Sequence, residues 1–243
     1  MADTSTPALK TAVIMPAWNE AEAIGATLDE IASVNPHVDV VVVDDGSWDD
    51  TVKIAQAHGA TVLRLPFNLG VGGAMRTGYE YAGRNGYDQA IQVDADGQHD
   101  PADIDRVLEG LKVADISIGA RFAGKGGYKA AGPRRWAMKV LASVVSRVAH
   151  TKLTDVTSGF RAANARAINQ YRRHYPAEYL GDTVDSLVMA ARSGLSVTQV
   201  PVEMRVRQAG TPSTSPLKSA IYLGRSLLAL VVALTRRPMK RES

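Results

Sequence analysis

The sequence predicts a single α/β domain, a mainly parallel sheet flanked by helices, followed by a C-terminal amphipathic helix. Three observations carry this. Apolar runs alternate with amphipathic segments through the first half of the chain, the rhythm of a parallel α/β sheet. Val38, Val40, Val41, Val42 and Val43 form an almost unbroken β-branched run, expected of a strand covered by helices on both faces. The 243 residues with 45% apolar content suffice for one sizeable core and are few for two.

In chain order, the first strand reads as Thr11–Met15, after a polar stretch over residues 1–10 expected to be poorly ordered. Ile24, Leu28 and Ile31 make a helical stripe behind Asn19, a capping residue with Glu22 three positions later. The valine run follows, and Ser47 with Asp50 repeats the capping box before a helix over Val52–His58. Ala60–Leu65 is the third strand, and glycines 70, 72 and 73 precede another helix. Gln89–Val93 is the fourth strand. Asp100 then caps a helix with Pro101 at its first position and Ile104, Val107, Leu108 and Leu111 on its buried face. Asp115–Gly119 is the fifth strand. Beyond residue 120 the rhythm changes to a Gly/Lys-rich loop over Ala123–Gly132, a helix near Trp136–Ala149, short segments, a helix near Val184–Arg192 and a strand pair around Val197–Arg207. The domain is expected to span 11–214, with 215–243 as amphipathic helix and basic tail.

Composition narrows the chemistry. With no cysteine there is no disulfide scaffold, thiolate metal site or Cys nucleophile, and a reducing cytoplasm fits. Met1–Lys10 lacks the basic and apolar regions of a secretory signal. The longest apolar stretch, Ile221–Leu234, has Arg225 inside it and falls short of the ~20 residues of a membrane span. The net charge of +3 hides a division: residues 1–120 hold 7 Lys/Arg against 19 Asp/Glu, and residues 121–243 hold 21 against 6. No acidic residue lies between Ile116 and Thr154, a stretch that includes Arg121, Arg134 and Arg135. Two different clients are expected of the two halves, and a nucleic acid is not among the expected partners.

In open parallel α/β sheets, ligands bind beyond the carboxyl ends of the strands. Those ends are polar here: Pro16-Ala17-Trp18-Asn19-Glu20, Asp44-Asp45-Gly46-Ser47, Asn68-Leu69-Gly70-Val71-Gly72, Asp94-Ala95-Asp96-Gly97-Gln98-His99 and Ala120-Arg121. At a frayed strand end, Asp94 and Asp96 can converge on a hard cation such as Mg²⁺ or Mn²⁺; solvated carboxylates in a capping loop are the alternative. Asp45 can accept from a base N–H or a ribose hydroxyl. The glycines after Asn68 suit a phosphate or sugar, or simply a tight loop. The first turn lacks the glycines of a dinucleotide fingerprint, and no Walker motif is present.

Together these residues resemble family 2 glycosyltransferases of the GT-A fold, in the branch of dolichyl- and polyprenyl-phosphate sugar synthases. The likeness runs from about Thr11 to Leu234. Its motifs read Val13-Ile14-Met15-Pro16-Ala17-Trp18-Asn19-Glu20, Val43-Asp44-Asp45-Gly46-Ser47, Asn68-x-Gly70-x-Gly72-x-Ala74, Asp94-Ala95-Asp96-Gly97-Gln98-His99 and Ser158-Gly159-Phe160-Arg161. The resemblance implies that Pro16, Ala17, Asn19, Glu20, Asp45, Asp94 and Ala95 hold the nucleotide, and that Asp94, Asp96 and Gln98 gather Mg²⁺ or Mn²⁺ and the diphosphate. It implies that Arg121, with Arg134 or Arg135, grips an acceptor phosphate, with Arg207 near either substrate. Asp185 matches an acidic residue of the family's site-facing helix, with a sugar contact, a base and a surface carboxylate as its open readings. Asp96, Arg121 and Asp185 are the catalytic candidates.

One departure bears on the donor. Dolichyl-phosphate mannose synthases usually show Ser-Lys where this chain has Pro212-Ser213, and the continuation Ser215–Tyr222 looks more like bacterial transferases that use UDP-sugars. The expected activity is inverting transfer of a sugar from a nucleotide diphosphate, UDP-linked by preference and GDP-mannose as alternative, to polyprenyl phosphate. A family 2 transferase with a non-lipid acceptor, and from a different class a non-catalytic nucleotide-sugar-binding protein, remain as rivals. Leu217–Leu234 carries Lys218 and Arg225 on one face and is followed by Arg236, Arg237, Lys240 and Arg241. It suits an anionic membrane surface, a small membrane protein or a sister subunit in a homo-oligomer. The expected location is cytoplasmic, peripheral on the inner face of the plasma membrane.

Overall fold

A computed structural model describes residues 9–121, 133–176 and 182–205. In chain order the elements are β1 (Thr11–Ala17), α1 (Ile24–Val34), β2 (Val38–Asp44), α2 (Thr51–Ala57), β3 (Thr61–Arg64), α3 (Gly70–Arg84), β4 (Gln89–Gln92), α4 (Ile104–Glu109), β5 (Ile116–Ala120), α5 (Pro133–Val148), β6 (Arg161–Asn164), α6 (Ala165–His174), α7 (Asp182–Arg192) and β7 (Val197–Pro201). The strands form one sheet in the order β3-β2-β1-β4-β6-β5-β7. All neighbours are parallel except at β6, which runs antiparallel to both β4 and β5.

Strand side chains alternate between faces, and both faces are apolar here. Ala12, Ile14, Val41 and Val43 point to a layer containing Met75, Tyr79, Leu141, Ile168, Tyr171 and Leu187 from α3, α5, α6 and α7. Val13, Met15 and Val42 point to Ile24, Leu28, Ile31, Ala55, Ile104 and Val107 from α1, α2 and α4. Each fully buried aliphatic side chain is worth about 1.5–3 kcal/mol relative to exposure, so a polar residue on either face of β1 or β2 would be costly. α3 approaches β1 closely because Gly78 has no Cβ; one placed there would collide with the Ile14 Cγ2 methyl.

The five expected strands are all present. The second half differs. β6 was not expected, because four residues reading Arg-Ala-Ala-Asn carry no β-branched signal, and it is held by pairing on both sides. Among the described residues, which end at 205, the expected strand pair over Val197–Arg207 shows one strand, β7, after which Met204 makes an isolated bridge to His99. Two expected caps are corrected. α1 begins at Ile24 behind Ala23, and Asn19, at φ 55°, instead accepts from the Trp48 N–H at 3.0 Å. The Ser47 hydroxyl accepts from the Asn19 N–H at 2.9 Å, while Asp49 accepts from the Thr51 and Ala21 N–H groups at 3.0 and 3.2 Å. The polar side chains expected to cap helices cross-link the loops after β1 and β2. The Asp100 cap is as expected, accepting from the Ala102 N–H at 2.9 Å, with Pro101 opening a single 3₁₀ turn before α4.

Candidate active site

Strand order runs 3-2-1 and then turns back to 4, so the topological switch point falls between β1 and β4, where an α/β sheet opens a crevice at its carboxyl edge. A cleft of about 400 Å³ lies there. Pro16, Ala17, Trp18 and Glu20 line it from the end of β1, Asp45 from β2, and Val71 and Ala74 from α3. Gln92, Asp94, Ala95 and Asp96 line it from β4, and Thr157, Gly159 and Thr183 close the far wall. Trp18 sits at the mouth, edge-on to Trp48 with ring centroids 5.4 Å apart.

Asp45 is buried, and its two oxygens accept from N–H groups where α3 begins: Leu69, just before the helix, to Oδ1 at 2.6 Å and Gly70, its first residue, to Oδ2 at 2.8 Å. It caps a helix from a distant strand, which sequence spacing does not disclose. Its pKa is raised because burial outweighs those two hydrogen bonds, with the neighbouring Asp44 charge adding to the rise. Each oxygen keeps a second lone pair for a donor entering the cleft.

The loop after β4 is tied down along its length. Gln92 Nε2 donates to Asp94 Oδ1 at 2.9 Å, and the Gln98 N–H donates to Asp96 Oδ1 at 3.0 Å. Thr27 donates to the Ala95 carbonyl at 3.1 Å. The Gln98 carbonyl accepts from the Arg205 N–H at 3.0 Å, and the Arg205 guanidinium spans Glu30 and Asp100, each at 2.7 Å. Asp94 and Asp96 thus face one cleft from a braced loop. Among the described residues no third acidic or imidazole ligand joins them in a metal-holding cluster. Two carboxylates with the remaining positions left to water and phosphate oxygens suit Mg²⁺ or Mn²⁺, which take hard oxygen ligands.

The far wall depends on two arginines. Arg161 is buried and donates to the carbonyls of Ser158 at 2.7 Å, Thr183 at 2.6 Å and Val156 at 2.9 Å, and to the Ser186 hydroxyl at 3.1 Å. It joins the 156–159 loop to the first turn of α7. Arg121 donates from Nε to Asp155 Oδ2 at 2.6 Å and from Nη2 to Asp155 Oδ1 and Thr157 Oγ1, each at 2.9 Å. Burial raises the Asp155 pKa, but the Arg121 hydrogen bonds and charge outweigh it and hold it below the ordinary value.

Of the nucleotide candidates, Pro16, Ala17, Glu20, Asp45, Asp94 and Ala95 line the cleft, as does Asp96. Asn19 braces the two loops behind it. Gln98 contributes main-chain bonds at the back of the Asp96 turn. Arg121 reaches the wall through Thr157. Asp185 is half-buried on α7; a helix turns ~100° per residue, which puts it about 200° around from Thr183. The side chains of Arg134 and Arg135, in the first turn of α5, lie outside the described residues, as do Arg207, the 122–132 loop and the extension 215–243. Gln92, Val71, Thr157 and Thr183 were not singled out from sequence. Val71 lies inside the Asn68–Ala74 motif and Thr157 adjoins Ser158–Arg161, whereas Gln92 and Thr183 stand outside the noted motifs.

Comparison with known proteins agrees with this geometry. The pattern of the family described as "Glycosyl transferase family 2" matches residues 12–172. An undecaprenyl-phosphate mannosyltransferase of Micrococcus luteus is 32% identical over 217 residues, covering 85% of this chain and 88% of that one. A polyprenol monophosphomannose synthase of Mycolicibacterium smegmatis is 29% identical, covering 90% and 87%. Among solved structures, glucosyl-3-phosphoglycerate synthase of Mycobacterium tuberculosis, in a complex with Mn²⁺, UDP and glucosyl-3-phosphoglycerate, superposes with a TM-score of 0.69 at 20% identity. It covers 93% of this chain and 80% of that one, and likeness at this identity establishes the shared GT-A fold.

Proposed function

The chain belongs to glycosyl transferase family 2, and from that premise we propose that it transfers a sugar from a nucleoside diphosphate to a polyprenyl phosphate, with inversion at the anomeric carbon. The observation that carries the reading is the meeting of Asp94 and Asp96 with Asp45 in one cleft at the switch point, in a chain alike over most of its length to transferases named for polyprenyl-phosphate acceptors.

Asp45 accepts a donor from the base or ribose, while Pro16, Ala17 and Glu20 form the neighbouring wall. Asp94 and Asp96, with Gln98 beside them, would hold Mg²⁺ or Mn²⁺, and the bound ion would supply electrostatic stabilisation of the departing diphosphate. A phosphate nucleophile is ionised near pH 7, so the protein's task is positioning. An acceptor phosphate oxygen bonds to the anomeric carbon as that carbon's bond to the diphosphate oxygen breaks, and the electron pair leaves with the diphosphate. Arg121, with Arg134, Arg135 and Arg207, is the cationic set for the acceptor phosphate. Asp185 is kept as a sugar-contacting candidate.

Among the described residues no helix is long and apolar enough to cross a membrane. Work at the membrane surface follows from the acceptor's chemistry, and 215–243 is the proposed contact with bilayer, membrane protein or sister subunit. For the donor, Pro212-Ser213 supports a uridine nucleotide, whereas the mannosyltransferase relatives support a mannosyl group. The test is incubation with membranes, Mn²⁺ or Mg²⁺ and a panel of UDP- and GDP-sugars, with mass analysis of extracted lipid. A polyprenyl-phosphate monosaccharide from one donor is expected. Donor binding without turnover would instead assign a nucleotide-sugar-binding role.

A further inference from the structure

His99 is buried, at 2% exposure, and lies against the underside of the Asp94–Asp96 loop without lining the cleft. Its Nδ1 accepts from the Asp94 N–H at 3.0 Å. That bond occupies the Nδ1 lone pair, leaving the ring proton on Nε2, which faces Asp94 Oδ2 at 3.7 Å. This second contact is too long for a hydrogen bond and is electrostatic only. The ring stacks on Phe160 with centroids 4.8 Å apart and planes 14° from parallel, and the His99 backbone bridges Met204. Three separate elements therefore fix one imidazole: the loop itself, the residue before β6, and the segment after β7.

We infer that His99 is a positioning residue for the divalent-cation site: by accepting the Asp94 main-chain N–H it sets where the Asp94 carboxylate stands relative to Asp96. The inference rests on the cation assignment of the proposed function. Its physical basis is that one φ or ψ change at Asp94 swings the carboxylate by more than a cation's coordination sphere tolerates. Without an acceptor at the Nδ1 position, a part-buried N–H loses its partner, which favours such a change. Groups that orient metal ligands from behind are commonly worth about 10–100-fold in metal affinity.

Two replacements separate the acceptor from mere volume. His99→Asn places an amide oxygen near the Nδ1 position, and His99→Leu fills part of the space with no acceptor. Mn²⁺ binding to the full chain, read by electron paramagnetic resonance of the free ion with and without UDP, is measured beside the thermal midpoint. His99→Leu is expected to weaken Mn²⁺ by about tenfold or more, and His99→Asn to recover most of that. Equal Mn²⁺ affinity in wild type and a folded His99→Leu overturns the inference and leaves the proposed function standing. Asn as weak as Leu overturns it too. If His99→Leu does not fold, His99→Gln, whose amide sits near the Nε2 position instead, is compared with His99→Asn. Tighter Mn²⁺ binding by Asn supports the inference, and equal binding overturns it. A wild-type chain that takes up no Mn²⁺ overturns both the inference and the cation assignment.

Discussion

Arg121 and Asp155 bind each other along two edges, Nε to Oδ2 at 2.6 Å and Nη2 to Oδ1 at 2.9 Å, with the carboxylate side chain fully buried and the arginine one-fifth exposed. The cation that resemblance assigns to the acceptor phosphate thus has a carboxylate counter-ion. Leaving it would strand a buried charge, so the geometry favours a phosphate that approaches Arg121 while the pair stays intact. The guanidinium is thereby held in one orientation beside Thr157.

Asp155→Asn removes that counter-ion, and about 3 kcal/mol of stability is expected to go, the low end for a broken buried pair because Arg121 retains some exposure. The pH dependence follows from the lowered Asp155 pKa. Its stabilisation is fully present above the unfolded carboxylate value of about 3.9 and is lost as pH falls through the lower folded value. Thermal midpoints from pH 7 to pH 3 should fall less steeply for the variant than for wild type on the acid side. Parallel curves would count against the pair as an acid-sensitive element.

Asp96→Asn is expected to lower transfer by roughly 100-fold or more while leaving the fold intact, because charge on the leaving diphosphate loses stabilisation. Mn²⁺ with UDP at 100 times its dissociation constant should stabilise wild type by about 2.7 kcal/mol. Differential scanning fluorimetry should show that gain much reduced in the variant.

Asp45→Ala withdraws the acceptor from two N–H groups at the start of α3. A loss of about 1–2 kcal/mol is expected from the cap alone. A donor KM that rises several-fold while the acceptor KM holds would separate nucleotide binding from the cap; stability loss with unchanged donor KM would reduce Asp45 to a structural role.

Gly159→Ala tests how tightly the far wall abuts the Asp94 side. An added Cβ would stand 2.9 Å from Gln92 Nε2 and 3.5 Å from Asp94 Oδ2, displacing the amide that donates to Asp94. Overpacking of this kind costs about 1–3 kcal/mol. The Mn²⁺ affinity is expected to fall as well, measured by the same resonance titration, and the Gln92→Ala variant should share that defect without the overpacking.

Arg161→Lys keeps one charge but cannot reproduce four bonds to Val156, Ser158, Thr183 and Ser186. Each buried carbonyl left unpaired costs about 1–3 kcal/mol, so chemical denaturation should show a large loss of stability. Near-native stability would mean that the 156–159 loop is held by other contacts.

The parallel sheet and the polar strand ends were legible in the sequence because both are local. Val38–Asp44 announces a strand buried on two faces, and a carboxyl end in such a sheet is where ligands sit. Pro16, Ala17, Glu20, Asp45, Asp94 and Asp96 stand at or just after such ends, the resemblance to family 2 glycosyltransferases points to the same residues, and all six line the cleft. What tertiary structure decided involves partners far apart in sequence. Asp45 spends both oxygens on α3, Asn19 and Ser47 bond to each other's loops rather than to helices, and Arg121 meets Asp155 across 34 residues. The far wall shows the reason most clearly. β6 runs against its neighbours, so its leading residues arrive at the carboxyl ends of β4 and β5 and bring Thr157 and Gly159 into the site. A strand's composition reports its burial but not its direction, and that direction is set only when hydrogen-bonding partners on both sides are in place.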